Sequence, residues 1–139
     1  METRSKELRA QYLANPIVAL EPPFADQRGA IFPIVDETMR SCVLITSVKG
    51  SIRANHYHET DWHYCYVLSG EITYYWRETG DSAPPNSVTI GQGQCFFTPP
   101  LVEHAMVFTQ DTTFLTLGRN PRDQKTYEAD VRRIVLIGP

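Results

Sequence analysis

Gly50-Ser51-Ile52-Arg53-Ala54-Asn55-His56-Tyr57-His58-Glu59-Thr60-Asp61-Trp62-His63, closing at Gly70, holds three of the four histidines of this 139-residue chain. On a β-strand His56 and His58, two residues apart, project their imidazoles from the same face. His63 follows across a short turn. The fourth histidine stands in Gly93-x5-Pro99-x-Leu101-x2-His104, and a closed barrel returns that later strand to the same interior point. A solitary histidine is usually a surface or hydrogen-bonded residue. Four in register, with ligand type, strand phase and chain spacing in agreement, are read as His56, His58, His63 and His104 around one divalent transition-metal ion. A three-histidine site, with His63 outside it, is the variant of this reading.

The rest of the chain fits such a barrel. From Ile17 onward, short apolar or alternating runs are separated by turn residues, the pattern of an all-β sandwich or barrel. Strands are expected at Ala30 to Ile34, Val43 to Val48, Ala54 to His58, Trp62 to Ser69, Glu71 to Arg77, Gln94 to Thr98, His104 to Phe108, Thr112 to Leu117 and Val131 to Ile137. Residues 2 to 14 mix Glu, Lys, Leu, Arg, Ala and Gln and predict a short helix ended by Asn15-Pro16. Residues 1–16 are thus an N-terminal arm, available to a partner, and 17–139 a single barrel domain, which the chain length suits. Glu78 to Asn86, with Gly80-Asp81 and Pro84-Pro85, reads as an exposed loop and a candidate lid. Asn120 to Asp130 is polar, with a short helix before the last strand, and is assigned no chemistry.

Strand phase adds detail. If His63 points inward, Cys65 and Val67 share its face while Trp62, Tyr64 and Tyr66 take the other. Cys65 is then either a small buried core residue or a thiol within reach of the metal. In Glu71 to Arg77, Ile72, Tyr74 and Trp76 alternate with Glu71, Thr73, Tyr75 and Arg77, and the sequence does not say which set faces the cavity. Glu59 and Asp61, in the turn before His63, are read as solvated or as acceptors for an imidazole N–H.

Composition narrows the partners. The net charge of −3 comes without a basic block or arginine stripe, which argues against nucleic acid and for a small-molecule substrate. The segment Met1 to Glu7 is charged and no apolar run approaches spanning length, so a soluble cytoplasmic protein without membrane contact is expected. Cys42, Cys65 and Cys95 are scattered and odd in number, unlike a disulfide framework. Open strand edges make a homodimer the expected assembly.

The two histidine segments resemble the paired signature motifs of cupins, G-x5-H-x-H-x(3,4)-E-x6-G and G-x5-P-x-G-x2-H-x3-N, over roughly residues 43 to 117. Gly50, His56, His58 and Gly70 match the first, and Gly93, Pro99 and His104 the second. His63 stands where the family has glutamate, Leu101 where it has glycine, and Phe108 where it has asparagine. The resemblance implies a double-stranded β-helix, or jelly-roll barrel, holding a metal. Replacing the carboxylate by imidazole leaves zinc, copper, iron and nickel suited and weakens manganese without excluding it.

A second resemblance concerns substrate. Asp26-Gln27-Arg28-Gly29 and Arg53-Ala54-Asn55-His56-Tyr57-His58 are similar to the D-x-R-G and R-G-x-H-x-H patterns of cupin epimerases and ketoisomerases acting on nucleotide-linked keto sugars, with Ala54 replacing the usual glycine. Pro99-Pro100-Leu101-Val102-Glu103-His104 is similar to their P-P-x-x-W-H segment, with Glu103 replacing tryptophan. The resemblance implies that His56 transfers a proton with His58 assisting, and that Arg53, or less directly Arg28, contacts phosphate; a rim salt bridge is the structural alternative for Arg53. A metal-bound imidazole is a poor general base, because its lone pair is engaged. In that case Lewis-acid polarisation of a carbonyl carries the reaction, and Tyr57, Glu59 or Glu103 moves the proton. Two other functions are open: a histidine-ligated iron or copper dioxygenase, and a non-catalytic cupin that binds a sugar or similar small molecule.

Overall fold

Ile72, Tyr74 and Trp76 turn inward, each at most 5% exposed, which settles the phase of the aromatic strand and with it the position of the core. The computed structural model describes residues 3–138; Met1, Glu2 and Pro139, which fall within the expected arm and barrel, lie outside the described residues. Eleven strands and two helices are described. They run α1 (Thr3–Ala14), β1 (Phe24–Asp26), β2 (Gly29–Ile31), β3 (Ser41–Ser47), β4 (Ile52–His58), β5 (His63–Ser69), β6 (Glu71–Glu78), β7 (Asn86–Gly91), β8 (Cys95–Thr98), β9 (Val102–Phe108), β10 (Thr112–Gly118), α2 (Gln124–Asp130) and β11 (Val131–Arg133). Two antiparallel sheets, ordered β11-β4-β9-β6-β7 and β3-β10-β5-β8, form the jelly roll, and β1-β2 is a separate hairpin. Val67, Phe96, Phe108 and Phe114 join Ile72 and Tyr74 between the sheets. Burying such side chains stabilises the fold by about 1.5–3 kcal/mol each.

Local chemistry explains where the expected strands differ. The D-x-R-G stretch is a hairpin turn: the Asp26 carboxylate accepts the Arg28 backbone N–H at 2.9 Å, and β1, not foreseen, pairs with β2. Strand β2 stops before Phe32-Pro33, since proline has no N–H to continue a ladder. Strand β7 was also unforeseen. It begins directly after Pro84-Pro85 and forms the edge of its sheet, where one ladder suffices. Strand β11 spans three residues instead of seven, because the Asn55 side chain takes over beyond it, accepting from the N–H groups of Leu136 and Ile137 and donating to the Ile137 carbonyl, each at 3.0 Å.

Helix α1 packs on its own barrel. The Tyr12 ring lies 4.7 Å from Phe97, the Trp76 indole N–H donates to the Leu13 carbonyl at 2.8 Å, and Arg9 pairs with Glu78 at 2.9 Å. Gly70 makes the tight β5–β6 turn at φ +98°, and a Cβ there would collide with Thr112 and the Asp111 carbonyl. No helix among the described residues is long and apolar enough to cross a membrane.

Candidate functional site

A β-bulge brings the first two histidines to the fourth. In the β4–β9 ladder Ala54 faces Ala105 and His56 faces His104, so β4 spends one extra residue between them. Ala54 and Asn55 absorb it in left-handed backbone, φ 67° and 53°. The His56 ring then sits 4.7 Å from both His58 and His104. His63, at the start of β5, is 4.7 Å from His58. Leu101, just before β9, is left-handed too, at φ 59°. Both Ala54 and Leu101 occupy positions where the resembling families carry glycine, and the backbone gives the reason: non-glycine residues are strained there by roughly 1–2 kcal/mol.

The four imidazoles line one cavity of about 90 Å³, with Phe96, Met106 and Cys65 as apolar surroundings and Tyr127 and Arg122 on its other side. Nitrogens of His56, His58 and His104 all lie within 4.8 Å of one another; His58, His63 and Asp61 form a second such set sharing His58. His56, His58 and His104 are held neutral. Burial, then the neighbouring His63, pushes His58 down to about 4. Burial likewise takes His104 to about 3, against the opposing contact with the Val102 carbonyl. His56 is depressed further, by burial and then by His104 and His58. The His104 Nδ1 lies 2.9 Å from the Val102 carbonyl; a carbonyl only accepts, so Nδ1 carries the proton and Nε2 keeps its lone pair.

Two carboxylates stand behind the rings. Asp130 approaches His58 Nδ1 at 3.3 Å and Asp61 approaches His63 Nε2 at 3.1 Å. The Asp130 carboxylate is an ion-pair contact of His58, a side chain 2% exposed, but neither ring nitrogen has a hydrogen-bond partner among the described residues. Unpartnered buried polar atoms are costly and call for a ligand. Burial tends to raise the Asp61 carboxyl, but the His63 contact and the Asn120 N–H outweigh it and hold it low. Asp61 is therefore a buried, ionised group and not the solvated turn residue that was the first alternative for it. Glu59 is exposed and lies 3.4 Å from Arg132. Neutral imidazoles, an unsatisfied buried ring and carboxylates behind them fit a transition-metal ion, with His56, His58 and His104 as one ligand set and His63 adjoining through His58.

The other expected site residues are not brought together here. Tyr57 alternates away from His56 and His58, opposite Arg132. Glu103 takes the opposite side of β9 from His104 and accepts from Arg77 at 2.9 Å. Arg53 donates to the Ser47 hydroxyl at 2.6 Å and the Thr46 carbonyl at 3.0 Å, a rim contact without a salt bridge among the described residues. Arg28 is held by Asp26 at 2.6 Å in the exposed hairpin. None of these four lines the cavity, nor does any residue of the loop 78–86. The cover comes from the stretch to which no chemistry was assigned. Helix α2, capped by Asp123 accepting from the Thr126 N–H at 3.0 Å, carries Tyr127 and Asp130 three residues apart on one face. The Tyr127 ring stands 5.7 Å from His58 and 6.3 Å from His56, and the Arg122 guanidinium carbon lies 3.6 Å from the Tyr127 ring centre. The cap followed by an i, i+3 Tyr/Asp pair was the available signal.

A family model described as a cupin domain matches residues 43–117. No curated protein sequence matches the chain. Among solved structures, the chain is similar to QdtA, a sugar 3,4-ketoisomerase from Thermoanaerobacterium thermosaccharolyticum in complex with TDP, at 20% identity and TM-score 0.68, covering 87% of this chain and 90% of that one. A 3,4-ketoisomerase from Helicobacter canadensis gives 14% identity and TM-score 0.69, covering 84% and 88%. The dTDP-4-dehydrorhamnose 3,5-epimerase from Sulfolobus tokodaii gives 17% and 0.63, covering 84% and 76%. At these identities the likeness is one of fold.

Proposed function

The chain belongs to the cupin family, and from that premise we propose that it is an enzyme isomerising or epimerising a small polar carbonyl compound at a divalent metal held by His56, His58 and His104, with His63 beside them. The carrying observation is the cavity lined by four imidazoles, in which neither nitrogen of buried His58 makes a hydrogen bond among the described residues. A bound metal ion would supply Lewis-acid polarisation of the substrate carbonyl. The competing use of His56 or His58 as general base is disfavoured, because a base works best near the operating pH and these rings are driven well below it. Tyr127 is the phenol that lines the cavity and the chain's candidate for moving a proton at the substrate. Asp61 orients His63, Asp130 places a carboxylate beside His58, and the apolar wall of Phe96 and Met106 limits water. A nucleotide-linked sugar is the substrate class supported by the fold-level likeness to the 3,4-ketoisomerases and the 3,5-epimerase.

Oxygen chemistry is the second reading, favoured by one observation: the set His56, His58 and His104 is all imidazole, a donor set suited to iron or copper. Plasma mass spectrometry of purified wild type and His104→Ala tests the proposal. Near-stoichiometric metal that the variant loses supports the centre, and iron or copper would move the weight toward oxygen. A wild-type protein that stays metal-free after reconstitution sinks the metal-centred proposal.

A further inference from the structure

We propose that Arg122 is the anion-binding residue of this cavity, so that the substrate meets the histidines with a carboxylate or phosphate group held by the Arg122 guanidinium. This rests on the reading of the histidine cavity as the reaction site. The family resemblance points to Arg53 and Arg28 for anion binding, and the structure engages both elsewhere.

The other arginines with contacts near this end of the barrel are engaged. Arg132 lies 3.4 Å from Glu59 and Arg133 2.7 Å from Glu128. Arg122 makes no hydrogen bond or ion pair among the described residues; its contact is the Tyr127 ring. The carboxylates close to it in sequence are occupied: Glu128 accepts from both Arg133 Nη atoms and from Gln124, and Asp123 caps α2. A cation held over an aromatic face keeps its in-plane N–H donors available for a planar or tetrahedral anion. Arg122 shares the cavity with the four imidazoles, no acidic side chain lines it, and Glu128, which the Arg122 charge reaches, is already hydrogen-bonded to Arg133 and Gln124. The cavity, about 90 Å³, is well under the roughly 300–1,000 Å³ of sites for drug-sized ligands. A compact carbonyl portion therefore enters while the anionic group stays with Arg122. Two sources share this chemistry: the diphosphate of a nucleotide-linked sugar and the carboxylate of a small 2-oxo acid.

Isothermal titration calorimetry with dTDP and, separately, pyruvate tests the assignment on wild type, Arg122→Ala, Arg122→Lys and Arg132→Ala. Each protein is titrated as purified and after chelation, with folding checked by circular dichroism. The expected result is binding of at least one probe to wild type, weakened about tenfold or more in Arg122→Ala as charge-assisted hydrogen bonds are lost. Arg122→Lys should lose less, and Arg132→Ala, which removes an equal charge, should bind as wild type does. Response to dTDP alone identifies phosphate as the source, response to pyruvate alone identifies carboxylate, and response to both supports the shared chemistry. Equal affinity in Arg122→Ala, or no binding of either probe to wild type, overturns the inference. Metal content of the same samples keeps the two readings apart. Metal retained with anion binding indifferent to Arg122 sinks this inference alone; Arg122-dependent binding in a protein that takes up no metal sinks the metal centre and leaves Arg122 standing.

Discussion

The strands β4, β5 and β9 and the segment 119–130 surround the same cavity by different means. The strands present His56, His58, His63 and His104 through alternation and ladder register, so each imidazole's direction follows from its place in a strand. The segment 119–130 contributes Arg122, Tyr127 and Asp130 because α2 is tied down at one point. The Asp130 carboxylate accepts the backbone N–H groups of Thr60 and Asp61 and the Thr60 hydroxyl at 2.6–3.0 Å, and its carbonyl accepts the Glu59 N–H at 3.0 Å. In the proposed function one region would offer donor atoms and the other would orient them and select what approaches; the second lies outside the residues matching the family model.

Breaking the strand side should have the largest effect. His58→Ala, which removes the ring common to both ligand sets, is expected to reduce bound metal to background by plasma mass spectrometry, whereas His63→Ala should retain part of it. Equal and complete loss in both would place His63 on the same footing as the other three.

Acid should act next. His58 titrates at about 4 in the folded chain against 6.5 for the free side chain, so between those values the unfolded chain binds more protons. Stability is complete above about pH 6.5 and falls as pH drops through 4, by on the order of 3 kcal/mol for this residue; His104 adds in the same direction. Urea midpoints of metal-free protein should be lower at pH 4.5 than at pH 7, and equal midpoints would contradict the buried neutral cluster.

The helix side should yield a smaller change. Asp130→Asn preserves shape while removing the charge beside His58, and chelator competition should show metal affinity reduced about 10- to 100-fold. Unchanged affinity would reduce Asp130 to a clasp for the β4–β5 turn. Smallest is Ala54→Gly, which relieves the left-handed strain of the bulge and should raise stability by about 1 kcal/mol or less by thermal melting, with metal content unaltered. A loss of stability instead would mean that the Ala54 methyl contact with the core outweighs the strain.

Much of the barrel was legible because it is written in short-range chemistry. Alternation placed Cys65 and Val67 on the His63 side, and both are buried. Turn residues separated most strands. The exceptions depend on pairing that alternation does not show: β1 and β7 each pair with the neighbouring strand of a local hairpin, whereas the end of β11 is replaced by a long-range partner, the Asn55 side chain more than seventy residues earlier in the chain. Gly118 is another such case. It pairs with His63 in the ladder, and a Cβ there would press on the Ser41 hydroxyl and stand 3.4 Å from the His63 ring, a demand invisible in any motif.

Spacing along the chain was sufficient to put four histidines on inward faces, since side-chain direction in a strand depends on the backbone of that strand alone. Closure of the jelly roll determined the rest: which face of β6 is buried, that Tyr57 and Glu103 turn away, that Arg53 and Arg28 are occupied, and that the segment 119–130 brings Arg122 and Tyr127 to the cavity and Asp130 behind His58. Those outcomes depend on contacts between residues far apart in sequence, and no local period encodes them.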